Sequence, residues 1–74
     1  MTSQLIENAN GIGTDGNHYD ITLKKIGRDY YRISTAIYKS ENMVEPIKVQ
    51  SCNTLYCAAK TYADHKRDVF PRLS

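Results

Sequence analysis

The sequence predicts a small α+β domain in which three short antiparallel strands are followed by one C-terminal helix that packs on one face of the sheet. Two observations support this fold class. From Tyr19 to Gln50, apolar and polar residues alternate, and from Thr54 to Arg67 the apolar residues recur at helical spacing. A chain of 74 residues is long enough for one domain only. The change of period near residue 50 therefore places the strands first and the helix last.

Residues 1–18 are polar and rich in Asn, Gly and Thr, and they leave two alternatives open. Leu5 and Ile6 could form an edge strand, which would make the sheet four-stranded. Otherwise residues 1–18 are a flexible segment. Asn10-Gly11 is a dipeptide typical of tight turns. We expect a single ββ(β)α domain over residues 19–70 and a tail over residues 71–74.

The predicted strands cover residues 19–24, residues 30–38 and a third segment that opens at Pro46. The second is the clearest because it is rich in β-branched and aromatic residues. In each strand, alternate residues are predicted to face the core: Tyr19, Ile21, Leu23, Tyr31, Ile33, Thr35, Ile37, Ile47 and Val49.

The predicted helix begins after Ser51 or Asn53, either of which could cap its first free N–H groups. Its apolar stripe, at positions i, i+3, i+4 and i+7, consists of Leu55, Ala58, Ala59 and Tyr62. This stripe is predicted to lie on the sheet.

The two cysteines, Cys52 and Cys57, are predicted to be free thiols in a reducing cytosol. If both lie in or beside one helix, their Cα atoms are too far apart or misdirected for a disulfide. No run of residues approaches the ~18 apolar residues of a membrane span, and the N-terminus lacks a basic-then-apolar signal. We therefore expect a cytoplasmic protein that does not enter a membrane.

Motifs that would indicate catalysis or cofactor binding are incomplete. Residues 11–16 match G-x-G-x-x-G, but a dinucleotide site needs a preceding strand and a following helix, and here a strand follows. Cys52 and Cys57 lack the C-x2-C spacing of a zinc knuckle. Cys57 and His65 would be roughly 12 Å apart along a helix, too far for a nucleophile and its base. We predict no enzymatic activity, no metal and no cofactor.

The candidate site is the sheet face that the helix leaves open. Exposed tyrosines flanked by Lys and Arg can anchor a protein interface or stack on bases. The predicted partner-binding residues are Tyr30, Arg32, Tyr38, Lys24 and Lys48. A second set could contact phosphate: Lys25, Arg28, Lys66 and Arg67.

Charge distribution favours a localised binding patch. The chain carries +2 overall, whereas residues 21–40 hold five basic residues against one acidic residue, a balance of +4. We interpret the chain as a small non-enzymatic module that engages a protein partner as an adaptor or inhibitor. By analogy, small stand-alone proteins of viruses and mobile elements that block host machinery have this character.

Nucleic-acid binding by the same face is the alternative function. In element order, residues 19–67 are similar to the arm-binding domains of phage integrases and related plant regulators, three-stranded sheets backed by one helix. That resemblance implies a sheet laid into the DNA major groove. A third alternative is that the open face is the seam of a homodimer.

Overall fold

The computed structural model describes residues 3–70, which form a four-stranded antiparallel sheet followed by one helix. The elements are β1 (Gln4–Ile12), β2 (His18–Gly27), β3 (Tyr30–Ser40), β4 (Met43–Cys52) and α1 (Leu55–Val69). The strands lie in the order β1-β2-β3-β4. The predicted α+β class is confirmed, and the sheet has four strands rather than three because residues 4–12 pair with β2. The predicted tail, residues 71–74, lies outside the described residues.

The hairpin between β1 and β2 turns at residues 13–17, and not at Asn10-Gly11 as predicted. Both Asn10 and Gly11 belong to β1. The turn needs Gly16, whose φ of 88° is unfavourable for other residues. The side chain of Asp15 accepts a hydrogen bond from the backbone N–H of Asn17 at 3.0 Å. Gly-rich residues 11–16 therefore end one strand and build a turn.

The register of β4 differs from the prediction. Val49 lies opposite Ser34, and the pairing shifts by one residue between Thr35 and Ala36, so Ile47 is the extra residue of a β-bulge. Both Val49 and Ile47 are 53% exposed, and the prediction that they point into the core is wrong. The bulge changes which residues of β4 face α1, and a strict alternation read from the sequence cannot include it.

Helix α1 packs on the face of β2, β3 and β4 that carries the core. Thr54 is its N-cap and accepts a hydrogen bond from the backbone N–H of Cys57, so neither Ser51 nor Asn53 has the predicted capping role. The buried helical residues are Ala58, Tyr62 and His65. Two residues of the predicted stripe, Leu55 and Ala59, are exposed. The buried stripe thus has positions i, i+4 and i+7. It includes His65, which a search for apolar residues at helical spacing does not find.

Among the described residues, the core is apolar apart from two buried polar residues, Thr35 on the sheet and His65 on the helix. The buried apolar residues are Tyr19, Ile21, Leu23, Tyr31, Ile33, Cys52, Ala58, Tyr62 and Phe70. His65 is 1% exposed, and its Nδ1 lies 2.7 Å from the hydroxyl of buried Thr35 on β3. Its Nε2 lies 2.6 Å from Oε1 of Gln50 on β4. Because a carboxamide oxygen only accepts, Nε2 carries the proton, and Nδ1 accepts from Thr35.

Among residues 3–70, no helix is both long enough and apolar enough to cross a membrane.

Candidate binding face of the sheet

The sheet face turned away from α1, here called the open face, carries the side chains that alternate with the buried residues of β2 and β3. Burial of Ile21 and Leu23 places Thr22 and Lys24 on the open face, and the pairing of strands extends it across the sheet. On the three strands β2, β3 and β4 it comprises His18, Asp20, Thr22, Lys24, Tyr30, Arg32, Ser34, Ala36, Tyr38, Val44, Pro46, Val49 and Ser51. No element within residues 3–70 covers it.

One end of the open face, here called the basic end, holds two cations side by side. Lys24 on β2 is the direct cross-strand partner of Arg32 on β3. Like charges at directly opposed positions destabilise a sheet. Within residues 3–70 the only ion pairs are Lys48–Asp68 and Arg67–Asp64, so neither Lys24 nor Arg32 has a carboxylate partner there. The fold therefore retains a repulsion that an anionic group from outside would relieve.

A shallow depression of about 490 Å³ lies at the basic end. Its lining residues are Ser3, Thr22, Lys24, Ile26, Tyr30, Arg32, Ser34, Pro46, Val49 and Ser51, and none is acidic. Tyr30 is 40% exposed, and its hydroxyl lies 3.0 Å from that of Ser51, which fixes the ring at the edge of the depression. Apolar area from Val49 and Pro46 thus lies next to an aromatic ring and to two cations that have no carboxylate partner within residues 3–70.

Tyr38 lies at the opposite end of the open face from Tyr30. The two tyrosines are eight positions apart along β3, which corresponds to about 26 Å. The Tyr38 ring stacks on His18, with ring centroids 4.3 Å apart and an angle of 19° between the planes. Val44, which is 45% exposed, is the cross-strand neighbour of Tyr38. The two predicted tyrosines therefore belong to separate surfaces.

Lys48 does not lie on the open face, although it was predicted to join Tyr30 and Arg32. Its partner in the sheet is Thr35, a residue of the face that packs on α1. Its Nζ lies 3.2 Å from the carboxylate of Asp68 on α1. The bulge at Ile47 is the cause, since it exchanges the faces of Lys48 and Val49 relative to a regular strand.

The four predicted phosphate-contact residues are not brought together. Lys25 is paired with Tyr31 on the helix side of the sheet, and Arg28 lies in the turn between β2 and β3. On α1, Lys66 lies 5.3 Å from the centroid of the Tyr62 ring, and Arg67 pairs with Asp64. These four cations form no continuous track.

Val49, Pro46 and Ser51 line the depression, and the sequence did not indicate them as site residues. Val49 was assigned to the core because it fits the alternation of β4. Pro46 is the one residue in the sequence that indicates an irregularity in β4. Proline lacks an N–H and, within sheets, is confined to edges, strand starts and bulges. A bulge next to Pro46 was therefore foreseeable, but its position was not.

Fold and surface together define a small α+β domain with a sheet that the helix covers on one side and that carries the basic end on the other. No family model matches the chain, and neither the curated proteins nor the solved structures contain a match to it. Within residues 3–70, no three His, Cys, Asp or Glu side chains are grouped so as to hold a metal ion.

Proposed function

We propose that the protein is a small non-enzymatic binding module whose basic end engages an acidic patch on a protein partner, as an adaptor or inhibitor. The observation that carries this proposal is the cross-strand pair Lys24 and Arg32, which have no anion beside them within residues 3–70. Carboxylates of a partner would replace a like-charge contact with two charge-assisted hydrogen bonds, and Arg accepts a carboxylate in bidentate geometry.

The composition of the basic end favours a protein over other anionic ligands. Protein interfaces combine an aromatic or aliphatic anchor with a polar rim, and Arg and Tyr are enriched among their strongest contacts. Tyr30 and Val49 supply the apolar area here, and Lys24 and Arg32 supply the polar rim. The depression is shallow, which fits a protein surface better than a small molecule, because small ligands are usually enclosed on most sides.

Nucleic-acid binding by the open face is supported less well by the positions of the basic residues. Affinity for nucleic acid rises with the number of phosphates neutralised, and here only Lys24 and Arg32 are adjacent on the open face. Lys48 lies on the other side of the sheet and pairs with Asp68. Nucleic-acid binding is therefore the alternative function, and the comparison of nuclease-treated with untreated extract tests it.

A homodimer seam at the basic end is also disfavoured by charge. In a two-fold symmetric contact, the same surface patch meets its own copy. A seam centred on Lys24 and Arg32 would bring four cations together, and the lining of the depression contains no carboxylate to separate them. An acidic partner avoids this repulsion.

Lys24→Glu is expected to stabilise the protein and at the same time weaken its binding to the partner. Glu at position 24 would face Arg32 across the strands, and an opposite-charge pair stabilises a sheet by about 0.2–1 kcal/mol. The measurement is urea denaturation followed by circular dichroism. The matched control is Lys60→Glu, which makes the same charge change at an exposed position of α1, on the other side of the sheet. A lower midpoint for Lys24→Glu would contradict the cross-strand repulsion.

The binding test uses wild type, Lys24→Glu and Lys60→Glu immobilised in parallel and exposed to nuclease-treated and untreated cell extract, with stepwise elution by salt. We expect one stoichiometric protein on wild type and on Lys60→Glu. Its affinity for purified Lys24→Glu should fall at least about tenfold. Because Lys24→Glu is expected to be at least as stable as wild type, the urea denaturation above separates a loss of binding from a loss of folding.

Two results would overturn the proposal. Equal capture by all three proteins would remove the basic end as the site. Capture of nucleic acid alone, lost after nuclease treatment and released by moderate salt, would establish the alternative function.

A further inference from the structure

The junction between β4 and α1 brings the two thiols of the chain into contact. Cys52 is the last residue of β4, and Cys57 is the third residue of α1. Their Sγ atoms are 3.0 Å apart, so an approach of about 1 Å would reach the length of a disulfide bond. Both cysteines are free thiols. The expectation that their Cα atoms are too far apart or misdirected applied to two cysteines in or beside one helix, whereas Cys52 ends a strand and its side chain meets that of Cys57.

The local structure holds the two sulfurs together. Thr54 caps the helix by accepting a hydrogen bond from the backbone N–H of Cys57 at 3.1 Å, which fixes the first helical turn against the end of β4. Cys52 is anchored by its pairing with Tyr31 on the central strand β3, and its Sγ also lies 3.4 Å from the hydroxyl of Thr61. Elements on both sides of the junction therefore determine the contact.

The two thiols differ in access. Cys57 is exposed, whereas Cys52 is 7% exposed. An attacking thiol at the surface with a second thiol behind it is the arrangement of redox-active cysteine pairs, in which the second thiol resolves a mixed disulfide.

We propose that Cys52 and Cys57 are a thiol–disulfide exchange site that closes reversibly into an intramolecular disulfide on reaction with a low-molecular-weight disulfide such as oxidised glutathione. This inference does not depend on the proposed function. The Cys57 thiolate attacks one sulfur of glutathione disulfide, forms a mixed disulfide and releases one glutathione thiolate. The Cys52 thiolate then attacks Sγ of Cys57, forms the protein disulfide and releases the second glutathione. Two protein thiols are oxidised, one glutathione disulfide is reduced, and the two protons end on the released thiols.

The rate of closure should increase with pH. The hydrogen bond between the two thiols raises the pKa of Cys57, and partial desolvation acts in the same direction. The thiolate is the nucleophile, so its fraction at neutral pH is small and grows as the pH rises. Closure would also restrain Ser51, the neighbour of Cys52 that contacts the hydroxyl of Tyr30.

The test incubates the full chain in a buffer of reduced and oxidised glutathione, followed by alkylation and intact-mass analysis. We expect wild type to become a monomer that has lost two hydrogens and resists alkylation at both cysteines. The thermal midpoint should rise by roughly 10 °C, because a cross-link reduces the entropy of the unfolded chain. Dithiothreitol should reverse both changes.

Two matched variants identify the mechanism. In the same buffer, Cys52→Ser should form only the glutathione mixed disulfide at Cys57, and Cys57→Ser should react much more slowly because its remaining thiol is buried. Three outcomes for wild type would overturn the proposal: a stable mixed disulfide, a disulfide-linked dimer, or two free thiols after equilibration. Loss of the circular dichroism spectrum on oxidation would also overturn it, since the sulfurs already meet in the folded chain.

Discussion

Replacing Ile33 with alanine is expected to leave much of the protein unfolded at room temperature. Ile33 lies on the central strand β3, opposite Leu23, and it is completely buried. Truncation of a buried isoleucine costs about 2–5 kcal/mol, because transfer free energy is lost and a cavity remains. The core of a scaffold this small rarely supplies more than about 3–5 kcal/mol. The measurement is urea denaturation followed by circular dichroism.

Ile47→Ala is the matched control, because it makes the same chemical change on the neighbouring strand. Ile47 is at the bulge of β4 and is 53% exposed. Its substitution should change the free energy of unfolding by less than about 0.5 kcal/mol, as is usual for surface positions. If the two substitutions cost the same, the register of β4 described above would be incorrect, since the regular alternation places Ile47 inward.

His65→Ala is expected to destabilise the protein by about 3 kcal/mol, through a cavity and the loss of two hydrogen bonds. Thr35, which is 2% exposed, would keep a buried hydroxyl without its partner. The control is His18→Ala, because His18 is exposed on the other side of the sheet and contacts Tyr38 only by stacking. A small effect of His65→Ala, measured by the same urea denaturation, would mean that the polar contact does not hold the helix on the sheet.

The free energy of unfolding should also fall as the pH is lowered, because His65 is buried. Burial lowers the pKa of His65 below its ordinary value of 6.5, and the nearby charge of Lys48 lowers it further, while Asp68 and Asp64 on α1 oppose the shift. Between the lowered folded pKa and 6.5, the unfolded chain binds a proton that the folded chain does not. Unfolding is therefore favoured as the pH falls through this window, and above it both states are neutral at His65.

The double variant Thr35→Val/His65→Leu isolates this titration. It replaces both partners with apolar side chains, and removing both members of a buried hydrogen bond can be nearly neutral. We expect the urea midpoint of the double variant to change less with pH than the midpoint of wild type does, between about pH 5 and pH 7. If the double variant and wild type showed the same pH dependence of stability, groups other than His65 would be its cause.

The sequence predicted the centre of the fold because the alternation in β2 and β3 is regular. Tyr19, Ile21, Leu23, Tyr31 and Ile33 are all buried as predicted. Tyr62 is buried as well, and helical spacing is the reason that it could be placed. Each of these assignments depends only on a regular spacing of apolar residues along one strand or along the helix.

The edges of the sheet were less predictable. Strand β1 is polar, and its pairing with β2 is not marked by an apolar alternation, so it remained one of two alternatives. In β4, one extra residue at Ile47 exchanges the faces of Lys48 and Val49. A bulge depends on the pairing with β3, and local sequence does not determine that pairing.

By itself, the sequence determined the order of strands and helix and the residues at the centre of the core, because local periodicity selects one face of each element for burial. Tertiary structure alone decided which side chains meet across elements. It placed Lys24 beside Arg32 with no carboxylate partner among residues 3–70, separated Lys48 from them, and buried His65 against Thr35. It also brought Cys52 to Cys57. These contacts depend on strand register and helix placement, which are set by the packing of the whole chain and are not encoded in any one segment.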